Sequence, residues 1–128
     1  MTPPSRPDKK IAMNDGQTTV AELRDLVRQF VDERDWVQFH TPKNLAMSAA
    51  IEAAELMEHF QWLTPEASLN IAADPGENEA VGEELADVVC YLLALANGLG
   101  LDVADCVERK MAKNAEKYPS EKFRGRYG

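Results

Sequence analysis

The sequence predicts an all-α fold, a bundle of four main helices. Three observations lead there. Apolar residues recur at three- and four-residue spacing in four long segments. Capping residues, prolines and glycines stand at the ends of those segments. No stretch shows the strict alternation of a half-buried strand. The 128 residues contain no linker and no repeat beyond two acidic pairs, so they read as one domain.

Residues 1–17 hold three prolines, mixed charges and no periodicity, and are expected to be a disordered arm. Thr19 and Glu22 have the spacing of a capping box. Leu23, Leu26, Val27, Phe30 and Val31 then place a first helix over Val20 to Arg34. Asp35 to Asn44 is an aromatic-rich loop. Thr41-Pro42 is a cap followed by proline at the first helical position, starting a second helix that should reach Leu63. One stripe of that helix carries Leu45, Ser48, Glu52, Glu55, His59 and Trp62. Thr64-Pro65-Glu66 repeats the start signal for a short helix to Ala72, and Asp74-Pro75-Gly76 reads as a turn. A third long helix is expected from Asn78 to Leu99, with Val81, Glu84, Val88, Tyr91 and Leu95 on one stripe and Asp87 beside it. Asn97-Gly98 and Gly100 end it. Asp102 caps the last main helix, which runs to Tyr118 before Pro119. The folded domain is thus 18–119, and 120–128 is expected to be a flexible tail.

Hydrophobic residues make up 45% of the chain, as in ordinary globular domains. The net charge is −8, placed unevenly. Residues 109–128 hold seven basic residues against two acids, and the other 108 hold seven against twenty. Bulk charge therefore argues against nucleic acid as a partner. VVCYLLALA falls far short of the roughly 20 residues of a membrane span, so no membrane partner is expected. MTPPSRPDKK has no apolar core of a signal peptide. A cytoplasmic location follows, with Cys90 and Cys106 as reduced thiols. Cys90, in an apolar run, reads as core packing.

The chemistry centres on IEAAELMEHFQW, residues 51–62. Residues three apart share a helix face, so Glu52 and Glu55 offer two carboxylates to one point. Glu84 and Asp87 in EELADVVCYLLAL offer two more. Carboxylates among aliphatic residues are costly unless something positive binds them. Mg²⁺, or Mn²⁺, suits such all-oxygen donors and usually brings a phosphate with it. The plainer reading is solvated acids on helix surfaces. A di-iron bundle would need Glu-x-x-His, which the chain lacks. Trp36, Trp62 and Tyr91 could stack a base, or simply pack. His40 and His59 are either ligand contacts or surface residues. Lys110, Lys113, Asn114 and Lys117 form either a phosphate-binding row or a solvated basic face.

ERDWVQFHTPKNLAMSAAIEAAELMEHFQW, GEELADVVCYLLALANGLGLD and ERKMAKNAEKYP together resemble the MazG-like all-alpha nucleoside triphosphate pyrophosphohydrolases, nearest to their dCTP pyrophosphatase branch. The resemblance spans Thr19 to Pro119. It implies Mg²⁺-dependent hydrolysis of a (deoxy)nucleoside triphosphate to the monophosphate and pyrophosphate, a house-cleaning of the nucleotide pool. It implies Glu52, Glu55, Glu84 and Asp87 as metal ligands and catalytic groups. Trp36, His40, Trp62 and Tyr91 would surround the base, and Lys110, Asn114 and Lys117 would hold phosphates. It also implies a dimer or tetramer with pockets built partly between subunits. Two positions depart from the pattern. Ile51 stands where the wider family often has a further glutamate, and Val27 where the dCTP branch places a histidine facing the base. The reading of another class is a non-catalytic helical oligomer, an interaction module with a structural cation.

Overall fold

The computed structural model describes residues 12–126. Residues 1–11, most of the expected arm, lie outside the described residues. The rest of that segment is a turn: the Thr18 N–H donates to the Asn14 carbonyl at 2.9 Å, and the Asn14 N–H donates to Thr18 Oγ1 at 3.1 Å.

Helix α1 spans Val20–Glu33. Its capping box is complete: the Glu22 N–H donates to Thr19 Oγ1 and the Thr19 N–H donates to the Glu22 carboxylate, both at 3.1 Å. Such a cap contributes about 1 kcal/mol. The helix stops because Asp35 turns left-handed, φ 51°. The Asp35 N–H then bonds the Asp32 carbonyl and the Trp36 N–H bonds the Val31 carbonyl, each at 3.1 Å. This closure folds Trp36 back onto Phe30, edge to face, with ring centroids 5.7 Å apart. A single 3₁₀ turn, Val37–Phe39, leads to the next helix.

Helix α2 spans Pro42–Glu58, capped by Thr41, whose hydroxyl accepts from the Asn44 N–H at 3.2 Å. It ends five residues before Leu63. Pro65 disfavours a helical Thr64, and Thr64 is extended so that it caps α3, Pro65–Ser68, by accepting from the Ala67 N–H at 3.1 Å. The backbone between the two helices tightens into turns closed at 2.9 Å from Phe60 to Met57 and from Leu63 to Phe60. A 3₁₀ turn at Ile71–Ala73 completes what was expected as one short helix.

Helix α4 spans Pro75–Leu99, starting earlier than the spacing suggested. Asp74-Pro75-Gly76 is a helix start rather than a turn: Asp74 Oδ1 accepts from Gly76 and Glu77 at 3.1 and 3.2 Å. Asn97 and Gly98 lie inside α4, and the left-handed Gly100, φ 65°, alone ends it. Asp102 caps α5, Val103–Lys117. The segment expected as a flexible tail carries a further turn, α6, Ser120–Phe123, where Phe123 meets Tyr118 edge-on at 5.3 Å.

The principal packing is α2 against α4, with α1 also on α4. Val31, Leu45, Ala49, Leu93, Ala94 and Ala96 form the small buried core. Asn97 clamps α1 to α4. Its Oδ1 accepts from Arg24 Nε at 2.9 Å and from the Arg28 guanidinium at 3.1 Å, and its Nδ2 donates to the Arg24 carbonyl at 3.1 Å. After Gly100 the chain bends by 101°, so α5 leaves the other three long helices and makes no extensive contact with them. Cys90, expected in the core, is exposed. It shares with Leu85, Val89 and Leu92 the part of α4 left open by this chain. Among the described residues no strand occurs, and no single helix is long and apolar enough to cross a membrane.

Candidate metal centre and adjoining cavity

The spacing of the two acidic pairs becomes a site because α2 and α4 pack together. Each pair occupies one turn of its helix, and the packing brings Glu52, Glu55 and Glu84 so close that one carboxylate oxygen from each lies within 4.8 Å of the others. Asp87 faces the same group and acts electrostatically on Glu52 and Glu84. Glu52 Oε2 and Glu84 Oε2 are shut off from solvent and have no hydrogen-bond partner. Among the described residues, no ion pair involves any of the four carboxylates.

The electrostatic consequence follows. Loss of hydration pushes the Glu52 carboxyl up to about 7, and the neighbouring Glu55, Asp87 and Glu84 add to it. Glu84 is raised for the same reason, desolvation first and then the charges of Glu55 and Asp87. Partial loss of hydration and the charge of Asp87 also push the thiol of the exposed Cys90 up. Buried acceptors without donors, drawn from two helices, fit a hard divalent cation: its charge offsets the repulsion, and carboxylate oxygens are its ordinary ligands.

A cavity of about 230 Å³ opens farther along α4, between α1 and the 3₁₀ turn. Val27, Val31, Val37 and Ala94 supply apolar wall. Arg28, Asp32, His40 and Asn97 supply polar groups. Ala94 lies two helical turns past Asp87, about 10 Å at 1.5 Å per residue and on nearly the same side. Tyr91, half-buried, lies between them.

The structure gathers some of the expected site residues and separates others. The carboxylates assemble, and His40 lines the cavity. Trp36 packs on Phe30 and is not among the cavity's lining residues. Trp62 does not continue the acid stripe of α2, because the helix ends at Glu58; it is 87% exposed. Lys110, Asn114 and Lys117 ride on the divergent α5; Asn114 Nδ2 lies 3.9 Å from Met111 Sδ, and the Lys117 ammonium stands over the Tyr118 ring at 5.3 Å. Arg28, Asp32 and Asn97 line the cavity without having been singled out. Arg28 and Asp32 look like ordinary helix-surface charges, and Asn97 beside Gly98 looks like a helix stop. The four-residue spacing of Val27-Val31 with Arg28-Asp32 was the available signal, an apolar row flanked by a polar one.

Comparisons with known proteins bear on the family and the fold. The family model described as the MazG-like family matches residues 47–126. The protein called dCTP pyrophosphatase 1 from Bos taurus, and its counterpart from Mus musculus, are each 40% identical over 109 residues, covering 85% of this chain and 64% of theirs. The Homo sapiens protein of the same name is 40% identical over 104 residues, 81% of this chain and 61% of its own. The chain thus spans less than two thirds of the length of these relatives. A crystal structure of a pyrophosphatase from Archaeoglobus fulgidus superposes with a TM-score of 0.72 at 43% identity, covering 86% of this chain and 99% of that one. The family match takes in both Glu52-Glu55 and Glu84-Asp87 and more than half of the sequence, and the chain belongs to the MazG-like family.

Proposed function

We propose that the chain is a nucleoside triphosphate pyrophosphohydrolase acting on dCTP or a related pyrimidine nucleotide. The observation that carries this reading is the convergence of Glu52, Glu55 and Glu84 within 4.8 Å, with two solvent-shielded oxygens that receive no donor from outside the cluster. The names of the relatives at 40% identity support the reaction and the base. Glu52, Glu55, Glu84 and Asp87 would hold Mg²⁺, or Mn²⁺, which when bound supplies positive charge against the triphosphate and lowers the pKa of bound water.

The chain's own groups do the rest. Helices α2 and α4 fix the carboxylates, so their arrangement is set before substrate arrives. A carboxylate of the cluster, unpaired by any cation of the chain, takes the proton of the attacking water. The water oxygen bonds to the α-phosphorus, the bond from that phosphorus to the bridging oxygen breaks, and pyrophosphate leaves. Val27, Val31 and Val37 exclude water around the base and His40 borders it, while the half-buried Tyr91 lies on α4 between this cavity and Asp87. Lys110, Asn114 and Lys117 meet phosphates, and the divergence of α5 favours their doing so in a second copy of the chain. A homo-oligomer, dimer or tetramer, accounts as well for the exposed Ile51, Met57 and Met111.

The test is pyrophosphate release from a panel of deoxynucleoside triphosphates, with Mg²⁺ and with EDTA. Release should require the cation. Glu55→Gln and Asp87→Asn should each lower it by more than the roughly 10–100-fold that loss of a ligand's supporting partner costs, while circular dichroism stays helical. Full activity in both variants would remove the assignment. Failure of every triphosphate to react would instead favour a module with a structural cation.

A further inference from the structure

The cavity beside α1 has four polar side chains, and three of them have a structural or ambiguous part. Asn97 spends both ends of its amide on the α1–α4 clamp. Arg28 is held by Asp25 at 2.7 Å and by Asn97 at 3.1 Å. His40 makes no side-chain hydrogen bond among the described residues, but an imidazole can donate or accept and so discriminates poorly. Asp32 is different. Its carboxylate has neither hydrogen bond nor ion pair among the described residues, although Arg28 stands one turn away on the same helix. It also sits in the last turn of α1, which contains no basic residue, where a negative charge opposes the helix dipole. The side chain thus contributes nothing visible to the fold at an electrostatically unfavourable place, yet it lines a cavity with apolar walls.

We infer that Asp32 is a specificity-determining residue, whose carboxylate accepts a hydrogen bond from the exocyclic amino group of a cytosine-type base. An ionised carboxylate only accepts. It pairs with the amino group that cytosine carries and repels the carbonyl oxygen that uracil and thymine carry at the same position. The reach is suitable: the cavity begins about 10 Å along α4 from Asp87, so a nucleotide with its phosphates at the carboxylates places its base there. The inference rests on the proposed nucleotide hydrolysis.

The experiment compares kcat/KM for dCTP and dUTP in the wild-type chain, Asp32→Ala and Asp32→Asn. It adds calorimetric binding of dCMP and dUMP, which needs no turnover. In Asp32→Ala the dCTP to dUTP ratio should fall by roughly tenfold or more, the size of one charge-assisted hydrogen bond. The loss should fall on dCTP. Asp32→Asn, whose amide can turn a donor to the carbonyl, should raise dUTP. Thermal stability should hold or rise in Asp32→Ala, which a structural role would not allow. An unchanged ratio, or an equal fall for both nucleotides, with the wild-type enzyme active, overturns the role of Asp32 and leaves the hydrolase reading standing. If the wild-type chain hydrolyses no triphosphate but binds dCMP over dUMP in an Asp32-dependent way, the hydrolase reading falls and the base contact stands. If it neither hydrolyses nor binds them, both fall.

Discussion

Glu52 holds a proton that an exposed glutamate would have lost. Its folded-state pKa of about 7 lies above the reference 4.5, so the folded form binds a proton more tightly than the unfolded chain does. The sign follows: this group's contribution to stability is intact below pH 4.5 and is lost as pH rises through 7. In EDTA, Glu52→Gln should therefore gain stability relative to wild type between pH 5 and pH 8, measured by thermal melts. The cation must displace the same proton. Calorimetry at pH 6.5 in buffers of different ionisation enthalpy should show proton release on Mg²⁺ binding, and at pH 8.5 should not. A buffer-independent enthalpy at pH 6.5 would show that Glu52 is not a ligand. Glu55 and Asp87 raise the same proton affinity, so removing either charge should shrink the effect.

At the scale of elements, helix ends decide where site residues fall. Gly100 ends α4 with φ 65° and has open space around it, so a β-carbon there meets no neighbour. Gly100→Ala should cost about 1–2 kcal/mol from backbone strain alone, read as a lower urea midpoint with an unchanged slope. Asp35 takes the left-handed place after α1 without being glycine, and Asp35→Gly should gain up to about 1 kcal/mol by the same measurement. The caps at Thr19, Thr41, Thr64 and Asp102 were legible in the sequence, since each pairs a side-chain acceptor with the N–H three residues on. So were the carboxylate pairs, because three-residue spacing on a helix fixes their common side. The end of α2 was not legible. Phe60, Trp62 and Leu63 continue an apolar pattern, but the backbone leaves the helix after Glu58 and tightens into turns closed from Phe60 to Met57 and from Leu63 to Phe60. Trp62 consequently leaves the stripe on which periodicity had placed it. Asp74 was misread for a related reason: Pro-Gly after an acid suits a turn and a helix start equally well, and the bonds to Gly76 and Glu77 decide. The cavity was hidden because its residues come from α1, a 3₁₀ turn and the far end of α4.

The whole molecule is under-covered. Among the described residues no side chain is fully shielded, and Met47, Ile51, Met57, Leu92, Val107 and Met111 are exposed. A chain of 14.2 kDa in this state should not sediment as a monomer. Analytical ultracentrifugation should find a dimer or larger species, and the double variant Val107→Glu, Met111→Glu should shift it towards the monomer if α5 is the element exchanged. A wild-type monomer at micromolar concentration would refute the shared-pocket reading. The carboxylate cluster carries a different consequence, one of motion. It lies on the α2–α4 contact that holds the molecule together, so uncompensated charge acts as a wedge at the principal seam. Amide hydrogen exchange near Glu52 and Glu84 should be fast in EDTA and slow with Mg²⁺, while α6 exchanges alike in both. A divalent ion seated there would then also serve as the latch of the bundle, so that under the proposed function nucleotide and cation would act on the chain through one seam.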